Sequence, residues 1–386
     1  MTTTPPTSTP ATAKDPGRAG RVGKARPARR AAPARPPATE QTTRAYGPRP
    51  ASLREDLVTA VLGACLIAGI LADAWAHVHL PDTLEGFFTP WHGLLYAGYV
   101  GTAAWTFWVA YQRRDEAPRW WRDGWPAGYG VGALGALLFA AGGLGDLVWH
   151  EVLGVEVALN AAFSPSHQVI VIGAVLLLSS PLRSWWAVAP EAGRWRAVAG
   201  VGSLALATTA TVPLLNHSVA LSTVGPTVAF RPDGSRDAAF FQAIATVDGY
   251  LLTTVVLTVP LLLVLRRRRT AGTATALVGG IGVFVTVMFG FRQPQTTAVA
   301  AALGAAVLVD VLLARLDAAR GPRAPLRLPI AGALFGALVW AAHLTGLQVA
   351  DALRWPIEMW TGTVVLTACL GAVLGMLAAR PATRLP

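Results

Sequence analysis

Apolar stretches of about 18 to 25 residues, separated by short polar or basic connections, recur through the chain from residue 57 onward. A helix rising 1.5 Å per residue needs about 20 apolar residues to cross a hydrocarbon layer of about 30 Å, so each stretch predicts a transmembrane helix. The stretches fall at 57 to 79, 91 to 112, 127 to 151, 166 to 186, 195 to 217, 239 to 265, 271 to 291, 294 to 315, 328 to 346 and 356 to 379. The pattern predicts an all-α fold, a polytopic integral membrane helical bundle of about ten transmembrane helices.

Composition agrees with that reading: 53% of residues are hydrophobic, 14% are charged and the mean hydropathy is +0.46, a balance that suits the bilayer as solvent. The net charge of +11 sits largely in residues 1 to 50, a segment rich in Pro, Ala, Thr and Arg with almost no large apolar side chains. Such a segment cannot bury enough surface to offset the entropy of ordering, and it reads as a disordered basic cytoplasmic tail. Its functional alternative is an arm that docks on anionic lipid or a protein partner. Because the membrane part is far less basic, no nucleic-acid partner is expected; the lipid bilayer and other membrane subunits are. Nothing in the tail has the apolar core of a signal peptide.

Cytoplasmic connections are enriched in Lys and Arg. Arg113, Arg114, Arg119 and Arg122 follow the second stretch, Arg183, Arg194 and Arg196 the fourth, Arg266 to Arg269 the sixth, and Arg315, Arg320, Arg323 and Arg327 the eighth. Those sides, and both termini, are therefore predicted to be cytoplasmic in a multi-pass protein of the cell membrane. On this map His77, His79, His92, His150, His167, His217 and His343 all lie at or near extracytoplasmic ends. Polar groups at membrane depth are costly and mark sites, so the one-sided distribution points to chemistry at the outer face.

Residues 55 to 187 carry an internal repeat of two-helix units, and residues 194 to 380 supply further transmembrane helices. DAWAHVHLPDTLEGFFTPWH at 73 to 92 and DLVWHEVLGVEVALNAAFSPSH at 146 to 167 follow one scheme. An Asp precedes a His by four residues at the end of one helix, and Ser or Thr, Pro, any residue and His open the next. Residues four apart share a helix face. Thr89 and Ser164 are suited to N-capping, and Pro90 and Pro165 to the first helical turn. Each unit thus offers a metal site: Asp73, His77 and His92 in the first, Asp146, His150 and His167 in the second. Two imidazoles and a carboxylate suit copper, zinc or iron better than calcium or magnesium.

Other polar residues are secondary candidates. His79 lies two positions past His77 and so points to another face; His217 and His343 are candidates by location, and Asp248 as an intramembrane carboxylate able to relay a proton or cation. Glu85, Glu151 and Glu156 are candidate partners for the imidazoles. Trp75, Trp91, Trp149, Trp355 and Trp360, with Asp351 and Glu358 beside the last two, read as interfacial anchors. Asp310 is assigned no function. Cys65 and Cys369 lie inside apolar runs, where buried structural cysteines are expected.

The run D-x-x-W-H with F-S-P-S-H after it, and F-F-T-P-W-H in the first unit, resembles the metal-binding segment of the C subunit of particulate methane and ammonia monooxygenases, over residues 70 to 185. The resemblance implies copper or zinc, with copper expected; iron stays an alternative from the donor set, and haem is less favoured. It places that metal on Asp146, His150 and His167 and on Asp73, His77 and His92, and it implies oxidation chemistry. The competing readings are a metal-ion or small-molecule transporter and a non-catalytic assembly subunit.

Overall fold

The computed structural model describes residues 49–80, 86–154, 159–189, 193–229, 236–268, 270–320 and 326–379. Among the described residues there is no strand, and ten helices carry the fold. They are α1 (Leu53–His79), α2 (Pro90–Tyr111), α3 (Tyr129–Leu153), α4 (Pro165–Leu178), α5 (Arg194–Thr209), α6 (Ala238–Arg267), α7 (Thr273–Met288), α8 (Gln295–Arg320), α9 (Arg327–Val349) and α10 (Ile357–Ala379). Each predicted stretch overlaps one of them. Eight are long and apolar enough to cross a bilayer, with α4 counted on through Trp186 and α5 through Leu215. The other two are α2 and α7. Helix α2 is free of charged residues but diluted in hydropathy by Tyr96, Tyr99, Trp105, Trp108 and Tyr111, and α7 has 16 residues, about 24 Å of helix. Of the basic tail, residues 1 to 48 lie outside the described residues; the Arg49 carbonyl accepts a hydrogen bond from Ala127 N at 2.9 Å.

Glycines set how closely the helices pair. A Cβ on Gly69 would come within 2.7 Å of Leu94 O and Leu95 Cα in α2, and one on Gly98 within 2.7 Å of Leu66 Cα in α1. Between α3 and α4 the same role falls to Gly135 and Gly142, whose Cβ atoms would meet the backbone nitrogens of Leu177 at 2.6 Å and Ile170 at 2.8 Å. Gly332, Gly336, Gly371 and Gly375 bring α9 against α10 likewise. In a bilayer, where apolar surface alone does not drive helices together, such small-residue crossings let backbones touch and maximise packing.

The α1–α2 and α3–α4 hairpins join along α2 and α3. Tyr99 of α2 donates its hydroxyl to the Ala136 carbonyl at 2.8 Å and stacks on Phe139 at a centroid distance of 4.4 Å. At the ends opposite the histidines, Asp56 is buried and accepts from Tyr129 Oη at 3.0 Å and Ser184 Oγ at 3.0 Å, with Arg196 at 3.3 Å. Glu55 caps α1 reciprocally with Ser52 and pairs with Arg113 at the end of α2 at 2.9 Å. This polar knot ties the starts of α1, α3 and α5 to the ends of α2 and of the segment after α4. It lies about 25 Å along α1 from Asp73.

One residue gains a structural role and one expectation changes. Asp310, assigned no function from sequence, is buried and accepts from Ala274 N at 3.2 Å and Thr275 N at 2.9 Å, so it caps α7 from α8. Cys65 and Cys369 are exposed rather than buried. An apolar run that crosses a bilayer turns one face to lipid, so apolar neighbours do not imply a place in the core.

Candidate metal centre

In each hairpin the glycine crossing stands one helical turn before the Asp. Gly69 precedes Asp73 and Gly142 precedes Asp146 by four residues, and each faces the residue three positions past the second His, Leu95 and Ile170. The close approach of the backbones at that level brings the His that opens the second helix over the Asp of the first. Pro90 and Pro165 occupy the first turns of α2 and α4, as expected. Thr89 caps α2, accepting from His92 N at 3.1 Å. Ser164 does not cap α4; its hydroxyl lies 2.8 Å from Ser166 Oγ instead.

Both sequence-predicted triads assemble. Asp73, His77 and His92 each offer one ligand atom, all within 4.8 Å of one another, and so do Asp146, His150 and His167. In the first, His92 Nε2 stands 3.4 Å from Asp73 Oδ1 and His77 Nδ1 3.7 Å from Asp73 Oδ2. In the second, His167 Nε2 lies 3.1 Å and His150 Nε2 3.7 Å from Asp146 Oδ1.

Backbone carbonyls fix the ring orientations. His92 Nδ1 is 2.5 Å from Phe87 O and His167 Nδ1 is 2.8 Å from Ala161 O. A carbonyl only accepts, so Nδ1 carries the proton in both and donates it. His77 Nδ1 does the same toward Asp73 O one turn back, at 2.9 Å, so its 3.7 Å approach to Asp73 Oδ2 is not a ligand contact and Nε2 is the nitrogen of that ring with a lone pair to offer. In His92 and His167 the opposite nitrogen, Nε2, is then left facing a carboxylate oxygen. Two acceptors at that spacing need a positive charge between them, a proton or a metal ion. The arrangement matches the way metal-ligating histidines give their second N–H to a carbonyl.

The triads are neighbours. The His92 and His150 rings are 5.7 Å apart between centroids, and Phe87 packs against both, at 4.9 Å and 5.8 Å. Asp73 is within electrostatic reach of His167 and Asp146 across the gap. Tyr96 packs against Phe87, and its hydroxyl lies 2.8 Å from where a Cβ on Gly143 would stand. Its charge environment includes both carboxylates.

No protein-family model, curated protein or solved structure matches the chain. The reading of the site therefore stands on its geometry, and nothing in these comparisons ties it to the monooxygenase C subunit.

The remaining candidates lie outside the triads. His79 is exposed, stacks on Trp75 at 4.7 Å and faces Gly290 in the α7–α8 connection. His217 is exposed beside Phe163. His343 is fully buried, with Nδ1 2.9 Å from Tyr250 Oη and its ring among Tyr250 and Trp340. Asp248 is on the exposed face of α6, and Glu151 is exposed at the end of α3. Glu85 and Glu156 fall outside the described residues. Sequence reasoning did not single out Phe87, Tyr96, Ser166 or the two glycines. A signal for the glycines was present, because the repeated motif extends four residues upstream to G-x-x-x-D-x-x-x-H in both units.

Proposed function

We propose that this chain is a multi-pass membrane metalloprotein whose paired Asp-His-His triads hold two transition-metal ions at the extracytoplasmic face. The observation that carries the reading is the pairing, in both triads, of a carboxylate oxygen with an imidazole Nε2 whose Nδ1 proton is committed to a backbone carbonyl. Asp73 supports it further: its Oδ1 is buried and accepts no hydrogen bond from any described residue, as a ligand oxygen awaiting a cation would be. Imidazole and carboxylate donors suit a borderline divalent ion, and copper is the proposed metal. Three protein ligands per site leave an open position, the arrangement of catalytic rather than structural centres.

Orientation follows the arginine-rich connections, with both termini cytoplasmic and all ten helices crossing. Bound copper would supply one-electron redox chemistry, and the activity proposed is the oxidation of a small apolar substrate by dioxygen, one oxygen atom entering the substrate and the other leaving as water with two electrons from an external donor. The chain's own part is to hold the rings and carboxylates in place and to wall the pair with Phe87 and Tyr96. A transport role lacks comparable support, since Asp248 is on the exposed face of α6.

Copper-reconstituted protein, purified in detergent and freed of loosely held metal, is expected to retain two ions per chain. Asp73→Ala with His92→Ala, or Asp146→Ala with His167→Ala, should each leave one. Protein that retains no stoichiometric metal would show that imidazolium–carboxylate pairs, not metal sites, occupy these positions. Copper-dependent formation of oxidised product from a small hydrocarbon, in the presence of oxygen and an added electron donor, tests the oxidative role.

A further inference from the structure

The triads follow one plan and differ in what holds the carboxylate. In the second, Ser166 donates its hydroxyl to Asp146 Oδ1 at 3.0 Å, and Ser164 Oγ lies 2.8 Å from Ser166 Oγ. Ser164, Ser166 and Asp146 are 3%, 7% and 2% exposed, so this chain of groups is shielded from competing water. In the first, the residue before the second His is Trp91, which packs beside Trp75 at 5.8 Å. Asp73 Oδ1 is left without a hydrogen bond among the described residues.

We propose that Ser166, backed by Ser164, makes the second triad the tighter metal site, filled first, and leaves the first triad as the weaker, exchangeable one. This rests on the reading that the triads bind metal. Ser166 is a positioning residue. It fixes the Asp146 side chain in the orientation that His150 and His167 already face, whereas Asp73 must be immobilised when an ion arrives. The opposing effect is that a hydrogen bond withdraws electron density from the oxygen it reaches. A carboxylate oxygen has a second lone pair, and Asp146 keeps Oδ2, so donor capacity remains. Loss of such outer partners typically weakens metal binding by about 10- to 100-fold, which places orientation ahead of the lost basicity.

The test is a titration of the full chain in detergent with Cu(II) against a competing chelator, read by EPR. The wild type should fill in two phases separated by at least ~10-fold. Ser166→Ala should move only the tight phase, weakening it by about 10- to 100-fold and merging it with the other. Ser166→Thr, which keeps the hydroxyl, should restore the separation. Asp73→Ala should remove the weak phase and leave the tight one sensitive to Ser166→Ala. Two indistinguishable phases, or a Ser166→Ala titration identical to wild type, would overturn the inference while leaving two metal sites in place. Absence of any copper binding in the wild type would overturn the metal reading itself, and this inference with it.

Discussion

Replacing Gly142 by alanine adds one methyl group where α3 and α4 meet, one turn before Asp146. That Cβ would lie 2.8 Å from Ile170 N, 2.9 Å from Ile170 Cγ1 and 3.1 Å from Ser166 O. Carbon contacts are comfortable from about 3.5 Å, so the start of α4 must retreat by about 0.6 Å. Overpacking of this kind costs about 1–3 kcal/mol. Alanine's better helix propensity returns up to about 1 kcal/mol, so the fold survives. The proposed metal site should not tolerate the shift as well, because ligands must hold within about 0.5 Å of productive geometry. His167 and Ser166 ride on the displaced turn, and copper affinity at the second triad should fall by ~10-fold or more while the first is unchanged. Gly145→Ala is the control: its Cβ would stand 3.8 Å from Ser166 Cβ, an ordinary contact, so it should raise thermal stability slightly and leave both affinities alone. Copper titration and thermal unfolding of the two variants give the answer. Gly142→Ala at wild-type affinity, or Gly145→Ala as damaging as Gly142→Ala, would refute the claim that backbone approach builds the triad.

Three further outcomes are expected. Gly69→Ala, whose Cβ would meet Leu94 O and Leu95 Cα at 2.7 Å, should weaken the first triad and spare the second in the same titration. Asp56→Ala strips a buried knot of its acceptor and leaves Arg196 without its carboxylate, a change worth about 3–5 kcal/mol, so detergent-solubilised protein should unfold at lower temperature with copper stoichiometry intact where folded. His79→Ala and His217→Ala should retain two copper ions per chain by metal analysis, because neither ring reaches a triad; loss of an ion in either would show that the centre extends beyond the six ligands.

What could be read from the sequence was whatever depends on position within one helix. Asp73 with His77, and Asp146 with His150, are one turn apart on any helix, so each pair was legible from spacing. Pro90 and Pro165 announced the turns that return His92 and His167. Contacts between helices left no such mark. That His92 and His150 lie side by side depends on how α2 meets α3, through Tyr99 on the Ala136 carbonyl and Phe139, and no periodicity encodes it. The carbonyls of Phe87 and Ala161 orient rings through backbone atoms that every residue has, so residue type was silent there. Cys65 and Cys369 failed for a different reason: apolar surroundings in a bilayer-crossing helix fit a lipid-facing place as well as a buried one.

EPR of the copper-loaded chain tests the central claim most directly, because it reports both occupancy and proximity. With the His92 and His150 rings 5.7 Å apart, two Cu(II) ions held by the two triads should couple magnetically and give a broadened two-spin spectrum. Disabling either triad, by Asp73→Ala with His92→Ala or by Asp146→Ala with His167→Ala, should replace it with the sharp spectrum of one isolated ion. A wild-type spectrum equal to the sum of the two single-triad spectra, or one that shows no bound copper, would contradict the paired centre.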